Sequence, residues 1–272
     1  MIDLHCHILP QVDDGAKNME EALNMARIAV DNGIRTVVCT PHFFDEQTRP
    51  QGEALKEQTN VFRQRLKEEN IPLELLWGNE AYISLELVDY VKNHQVLTIN
   101  DSRYLLMELP MRDMPLYVEN IIYELRLEGI IPIIAHPERY MKVMENPEIV
   151  YQWIKQGALI QLNAGSLTGR FGPKPKEIAQ LLLRHNQVHF IGSDGHSPRS
   201  RKPKLQEAVD AAASIIGQEK ALRLVQDHGQ SVIDDKVLSI EEPLKIMKRT
   251  KKFGFLDLCR GLFGRKSLGN RV

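Results

Sequence analysis

Residues 1–7 read Met-Ile-Asp-Leu-His-Cys-His and residues 192–196 read Gly-Ser-Asp-Gly-His; each couples a β-prone run to two metal-ligand side chains spaced i, i+2. On an extended strand that spacing points both side chains to one face, so His5 and His7 can grip one cation while Cys6 turns away. Asp194 and His196 repeat the arrangement with mixed donors. Working outward, β-rich runs at residues 1–5, 36–40, 73–78, 104–108, 130–135, 158–162 and 188–193 alternate with helical patterns. Asn18 with Glu21 three residues later reads as a variant capping box, and Gly33 and Gly157 stand where helices should stop. The residues at or just beyond the seven runs are His5 and His7, His42, Glu80, Glu108, His136, Asn163, and Asp194 with His196.

Seven strands separated by helices predict a parallel α/β sheet with right-handed crossovers. An open sheet would spread its strand ends along a line, whereas a barrel gathers them at one mouth. Ligand types at nearly every strand end therefore favour the barrel. A lone histidine at a strand end is more often a packing residue, and Asp13 or Asp14 alone would be a turn residue. Independent structural needs have no reason to place ligand types at nearly every strand end. Four carboxylates and five imidazoles exceed the needs of one tetrahedral ion, which predicts a cluster of two or three divalent cations. Mixed oxygen and nitrogen donors without thiolate suit Mn, Fe or Zn. His94, His185, His189 and His228 lack this placement and read as structural or surface residues.

The 272 residues carry 35 Lys+Arg against 36 Asp+Glu, a formal net charge of −1, and 43% are hydrophobic. Those values exclude a disordered or collagen-like chain and argue against a dedicated nucleic-acid binder. No apolar run reaches the roughly 20 residues of a membrane span, and the N-terminus lacks the pattern of a signal peptide. Three cysteines are too few and too scattered for a disulfide framework or a cysteine-based zinc site. The expectation is a soluble, cytoplasmic protein.

The segments 1–10, Val12-Asp-Asp-Gly15, Thr40-Pro-His42, Gly78-Asn-Glu80, Ala135-His-Pro-Glu-Arg139 and 192–196 together resemble the PHP (polymerase and histidinol phosphatase) superfamily. Within it, the chain resembles the bacterial manganese-dependent protein-tyrosine phosphatases found with capsule and exopolysaccharide synthesis systems. The resemblance covers roughly residues 1–240 and implies a distorted (β/α)7 TIM-like barrel, the PHP fold, with a trinuclear Mn2+ centre. It implies that His5, His7, Glu80 and Asp194 hold one metal. Glu80, Glu108 and His136 would hold the second, and Asp14, His42 and His196 the third. The implied substrate is a phosphotyrosine protein, a bacterial tyrosine kinase. The reaction would be attack by a metal-activated hydroxide, with Arg139 and Arg201 clamping the phosphoryl group bidentately. Arg199 competes with Arg201 for that role.

Two other readings stay open: a histidinol-phosphate phosphatase or other small phosphoesterase, and a non-catalytic metal-binding adaptor. A thiolate phosphatase needs Cys-x5-Arg, which Cys6 and Cys39 lack; Cys259 has Arg265 at that spacing, but in a terminal tail with no preceding strand. The domain division expected is a catalytic barrel at 1–245 and a tail at 246–272. That tail mixes basic residues such as Lys251, Lys252 and Arg260 with Phe253, Phe255 and Leu262. Such a composition suits weak docking to an anionic membrane, at the inner face, or to a membrane-bound kinase. Liposome co-sedimentation unchanged by deletion of residues 250–272 would remove the docking idea.

Overall fold

The computed structural model describes residues 1–246, so the basic tail and the Cys259–Arg265 pair lie outside the described residues. Among the described residues nine strand segments occur, all paired in parallel: β1 Ile2–Cys6, β2 Thr36–Cys39, β3 His42–Phe43, β4 Glu74–Trp77, β5 Glu80–Tyr82, β6 Tyr104–Glu108, β7 Ile131–Ala135, β8 Leu159–Asn163 and β9 Phe190–Gly192. Their hydrogen bonding gives one sheet of order β1-β2-β4 and another of order β3-β5-β6-β7-β8-β9.

The sheets are joined at two seams. At the first, β3 continues β2 beyond Thr40-Pro41, and β5 continues β4 beyond Gly78-Asn79. Pro41 has no N–H for a ladder, which breaks the second strand there. Its carbonyl instead accepts from the Glu80 N–H at 3.1 Å and from the Asn79 side chain at 3.1 Å. Pairing then resumes with His42 beside Glu80. At the second seam, the His7 N–H donates to the Gly195 carbonyl at 2.8 Å and the Asp194 N–H to the His5 carbonyl at 2.9 Å. The pairings thus run full circle through seven strand positions, two of them broken, as a distorted barrel.

The interior is layered. Ile2, Leu4, Val38, Leu76, Tyr104, Leu106, Ile133, Ala135, Leu159 and Phe190 form one buried apolar cluster fed by every strand position. Stepping two residues at a time toward the strand ends, the same faces turn polar: Val38, Thr40, His42; Leu76, Gly78, Glu80; Leu106, Glu108; Leu159, Gln161, Asn163; Phe190, Gly192, Asp194. Two strands reach the mouth by local irregularity. The register of β1 shifts between Asp3 and Cys6, as at a β-bulge, and His136 adopts a left-handed backbone (φ 34°) past β7. The larger apolar cluster lies between the strands and the surrounding helices and includes Trp153, Tyr140 and Phe62.

Helix Met19–Asp31 starts with the Asn18 side chain accepting from the Glu21 N–H at 2.9 Å, while Glu21 accepts from Lys17 at 3.2 Å, a capping box shifted by one residue. Its buried face is Ala22, Leu23, Met25, Ala26 and Ala29, and Gly33 follows at φ 81°. Helix Pro173–Arg184 starts at a proline, whose fixed φ is preorganised for the first helical turn. Among the described residues, no helix is long and apolar enough to cross a membrane.

Candidate metal centre

The structure brings the nine side chains singled out as ligands into one cluster at the barrel mouth. The His5 and His7 Nε2 atoms lie 3.2 Å apart. Glu80 sits centrally, with Oε1 3.2 Å from His5 Nε2 and 3.0 Å from His136 Nε2. Its Oε2 is 3.3 Å from His7 Nε2 and 3.1 Å from His42 Nδ1. Glu108 reaches His42 at 3.7 Å and His136 at 3.6 Å. Asp14 lies 3.6 Å from His42 and 3.3 Å from His196. Asp194 stands 3.6 Å from both His5 and His7 and 3.3 Å from His196. Three overlapping donor groups result: His7, Asp14, His42 and His196; His5, His7 and Glu80; His42, Glu80 and Glu108.

Which ring nitrogen faces inward is decided by partners behind the rings. His5 Nδ1 lies 2.8 Å from the Gln161 oxygen, and His7 Nδ1 lies 2.6 Å from the Asp13 carboxylate. His196 Nδ1 lies 3.0 Å from the Asp194 carbonyl. All three partners are acceptors, so in the neutral imidazole the proton resides on Nδ1 and the inward Nε2 carries the lone pair. In that neutral form the lone pairs of His5 and His7 face each other at 3.2 Å and the carboxylates of Glu80 and Asp194 at 3.2–3.6 Å, an arrangement that a proton on Nε2 or a bound cation relieves. His136 Nδ1 is buried without a hydrogen-bond partner. By donor chemistry and direction, these residues suit a group of divalent ions.

The charges compete strongly. Burial opposes charging His5 and His7, yet Glu80 raises the first and Asp13 raises the second well above the ordinary value. Burial likewise opposes ionising Glu80, but His5 and the other imidazoles hold it well below the carboxylate range. Burial and the Glu80 charge push Glu108 up to about 7, and burial takes His136 down to about 4.

Arg139 donates to Asp194 at 3.1 Å, and the Arg201 guanidinium forms an ion pair with the same carboxylate at 2.5 Å. The Arg139 guanidinium also stacks 4.4 Å from the Phe171 ring centroid. Arg199 instead pairs with Glu21 at 3.0 Å on the exposed side, which leaves Arg201 at the cluster. Three further residues support the donors, and of these Gln161 alone has no mark in the strand-end pattern. Gln161 and Asp13 orient rings, and Asn163 donates to Asp194 at 2.6 Å. Gln161 and Asn163 occupy inward positions of β8 two residues apart, a periodicity visible in the sequence. Of the remaining histidines, the His189 ring accepts from the Ile160 N–H, and the rings of His185 and His228 bond the Leu181 and His189 carbonyls.

The sequence profile of the family described as "Capsular polysaccharide synthesis, CpsB/CapC" matches residues 1–234. The chain belongs to the CpsB/CapC family. Its relatives include tyrosine-protein phosphatase YwqE of Bacillus subtilis, 38% identical over 255 residues, which covers 94% of this chain and 100% of that protein. Tyrosine-protein phosphatase CpsB of Streptococcus pneumoniae is 32% identical over 243 residues, 88% of this chain and 100% of that protein. A crystal structure from work on YwqE and CpsB, described as "unique metal-dependent tyrosine phosphatases", superposes with a TM-score of 0.87 at 36% identity, covering 91% of this chain and 100% of that one. This CpsB/CapC chain therefore shares its barrel with proteins of that description over nearly their whole length.

Proposed function

We propose that this CpsB/CapC chain is a metal-dependent protein-tyrosine phosphatase whose substrate is a phosphotyrosine segment of a bacterial tyrosine kinase acting in capsule or exopolysaccharide synthesis. The observation that carries the reading is the set of buried imidazole lone pairs and carboxylates converging beside two arginines, and the names of the relatives support it. His5, His7, Asp14, His42, Glu80, Glu108, His136, Asp194 and His196 would hold two or three Mn2+ ions, with Fe or Zn as chemically acceptable substitutes. Bound divalent ions supply Lewis acidity and lower the pKa of water toward neutrality.

The protein's own contribution is placement. Gln161 and Asp13 keep the His5 and His7 lone pairs inward, so the donor set needs no rearrangement when cations enter. Arg139 and Arg201 would turn from Asp194 to the phosphoryl oxygens, where a planar fork offsets charge that builds during displacement. A phenolic leaving group, with a parent pKa of about 10, departs without a strong general acid.

The test compares a phosphotyrosine peptide, a phosphoserine peptide and histidinol phosphate, each with Mn2+ and with a chelator. Phosphotyrosine turnover that needs metal and survives Cys259→Ser is expected; preference for histidinol phosphate would overturn the reading. Arg201→Ala should lower kcat/KM by roughly a hundredfold, as loss of a charge-stabilising donor does, with Arg201→Lys recovering only part. Residues 250–272 carry a further proposal, weak contact with an anionic membrane surface, which their deletion would abolish in liposome co-sedimentation.

A further inference from the structure

Two aromatic side chains sit one strand step above two of the donors. Phe44 is two residues beyond His42 and Tyr82 is two residues beyond Glu80, and His42 pairs with Glu80 in the parallel register of β3 and β5. The i, i+2 step repeats the facing, so both rings rise on the donor side about 6–7 Å further along the strands. The contacts agree. The Phe44 ring is stacked on the His42 ring with centroids 5.1 Å apart at 29°, and the Tyr82 ring lies 5.7 Å from Phe44.

Phe44 is 51% exposed, although a core position would have buried it. It is nevertheless held. Its N–H donates to Thr48 Oγ1 at 3.0 Å, and the Asp45 N–H shares that acceptor at 3.2 Å. Tyr82 is half-buried, and Glu108 and Tyr117 lie close enough to influence its hydroxyl. The Phe44 ring is thus fixed at the rim of a charged cluster with half of its surface open to solvent.

We infer that Phe44 and Tyr82 form the wall on which the aryl ring of the substrate stacks, and that they make the site select aryl over alkyl phosphate monoesters. The inference rests on the phosphatase reading and adds what distinguishes one ester from another. A phosphoryl group at the cation cluster places the ring of a phenyl ester about one strand step outward, at the height of these side chains. A serine ester has no aromatic ring, and the imidazole of a histidinol ester is held three carbons away from the ester oxygen instead of directly on it. Aromatic pairs contribute about 0.5–1.5 kcal/mol beyond burial, equivalent to roughly two- to tenfold per ring.

The experiment uses the full-length, metal-loaded protein and reads two ratios. One is kcat/KM for a phosphotyrosine peptide against a phosphoserine peptide of the same sequence. The other, independent of turnover, is the calorimetric affinity for phenylphosphonate against methylphosphonate. Phe44→Ala should lower both ratios about fivefold, Phe44→Ala with Tyr82→Ala should lower them further, and Phe44→Tyr should restore them. Circular-dichroism melting verifies folding in each case. Ratios unchanged within twofold, with aryl and alkyl values falling in step, would show that Phe44 only props His42 and would overturn the wall. A wild-type phosphonate ratio near one would overturn it also. Absence of turnover for every ester, with the phosphonate ratio still sensitive to Phe44, would overturn the phosphatase reading and leave the wall standing.

Discussion

The inward lone pairs of His5 and His7 depend on atoms that touch no donor site themselves. Gln161 reaches His5 from β8 because Gly192 beside it has no side chain; a Cβ there would fall 2.7 Å from the Gln161 amide carbon. Replacing Gln161 by Met keeps the volume but removes the acceptor, and the imidazole becomes free to reverse its tautomer. Metal affinity should weaken about 10- to 100-fold, the usual cost of losing an orienting partner. Calorimetric metal titration checks this, and an affinity within twofold of the native value would dismiss Gln161 as an orienting residue.

Glu138 poses a different residue-scale question. It is fully buried, accepts from the Asn163 N–H at 3.0 Å, and burial pushes its carboxyl up to about 7. The folded state therefore holds this proton to higher pH than the unfolded chain, whose glutamate titrates near 4.3. Between those values the native state binds more protons, so the contribution of this group to stability falls as pH rises and levels off above about 7. Glu138→Gln stays neutral throughout. Its stability relative to the native protein should rise by on the order of 2 kcal/mol from pH 5 to pH 8, measured by urea unfolding. A pH-independent difference would mean that the carboxyl titrates alike in both states.

At the scale of elements, the loop after β1 carries Asp13 and Asp14 back over the mouth. It can do so because Gly15 packs against the His7 backbone: an added Cβ would stand 2.0 Å from the His7 carbonyl oxygen. The Asp13 carboxylate accepts from the Gly15 N–H at 2.9 Å, so a displaced Gly15 moves both acids. Gly15→Ala should cost about 1–3 kcal/mol, as overpacking does, and should also weaken metal binding. Gly33→Ala is the control. It introduces left-handed strain (φ 81°) in place of a backbone clash, lies before β2 and beside Met1, at the strand starts opposite the mouth, and should spare metal binding. Equal metal affinity in the two variants would contradict the role given to the loop.

The strand-end reading picked out side chains that the fold gathers together, for a reason visible in these elements: period-two faces pass from apolar to polar toward the mouth. What it missed follows from pairing rather than pattern. The breaks at Pro41 and Gly78-Asn79 reset which neighbours His42 and Glu80 meet, and Gln161 gains its role only from lying beside Gly192 and opposite His5. Phe44 reads in sequence as an ordinary aromatic after a strand. Only the register of β3 against β5 places it over a donor. Arg199 and Arg201 have equal claim by spacing, and the pairing of Arg199 with Glu21 separates them.

At the scale of the molecule, the donors come from positions 5 to 196 and from strands on every side of the barrel, so occupancy of the centre is coupled to folding. Ligands so dispersed cannot gather in the unfolded chain, and metal binding then stabilises by mass action, about 2.7 kcal/mol at a hundredfold excess over Kd. For a domain of this size that corresponds to a rise in Tm of roughly 5–10 °C on adding Mn2+ to chelated protein. The shift also has a predictable pH dependence. His5 and His7, raised by Glu80 and Asp13 against the effect of burial, must shed protons before their Nε2 atoms can bind a cation. Acidification restores those protons, so the shift should shrink as pH falls at constant metal concentration. Glu80→Gln, which removes the charge shared among four imidazoles, should lose most of the shift at every pH. Scanning calorimetry with and without chelator decides the matter: a melting temperature indifferent to both metal and chelator would mean that these side chains converge without holding cations.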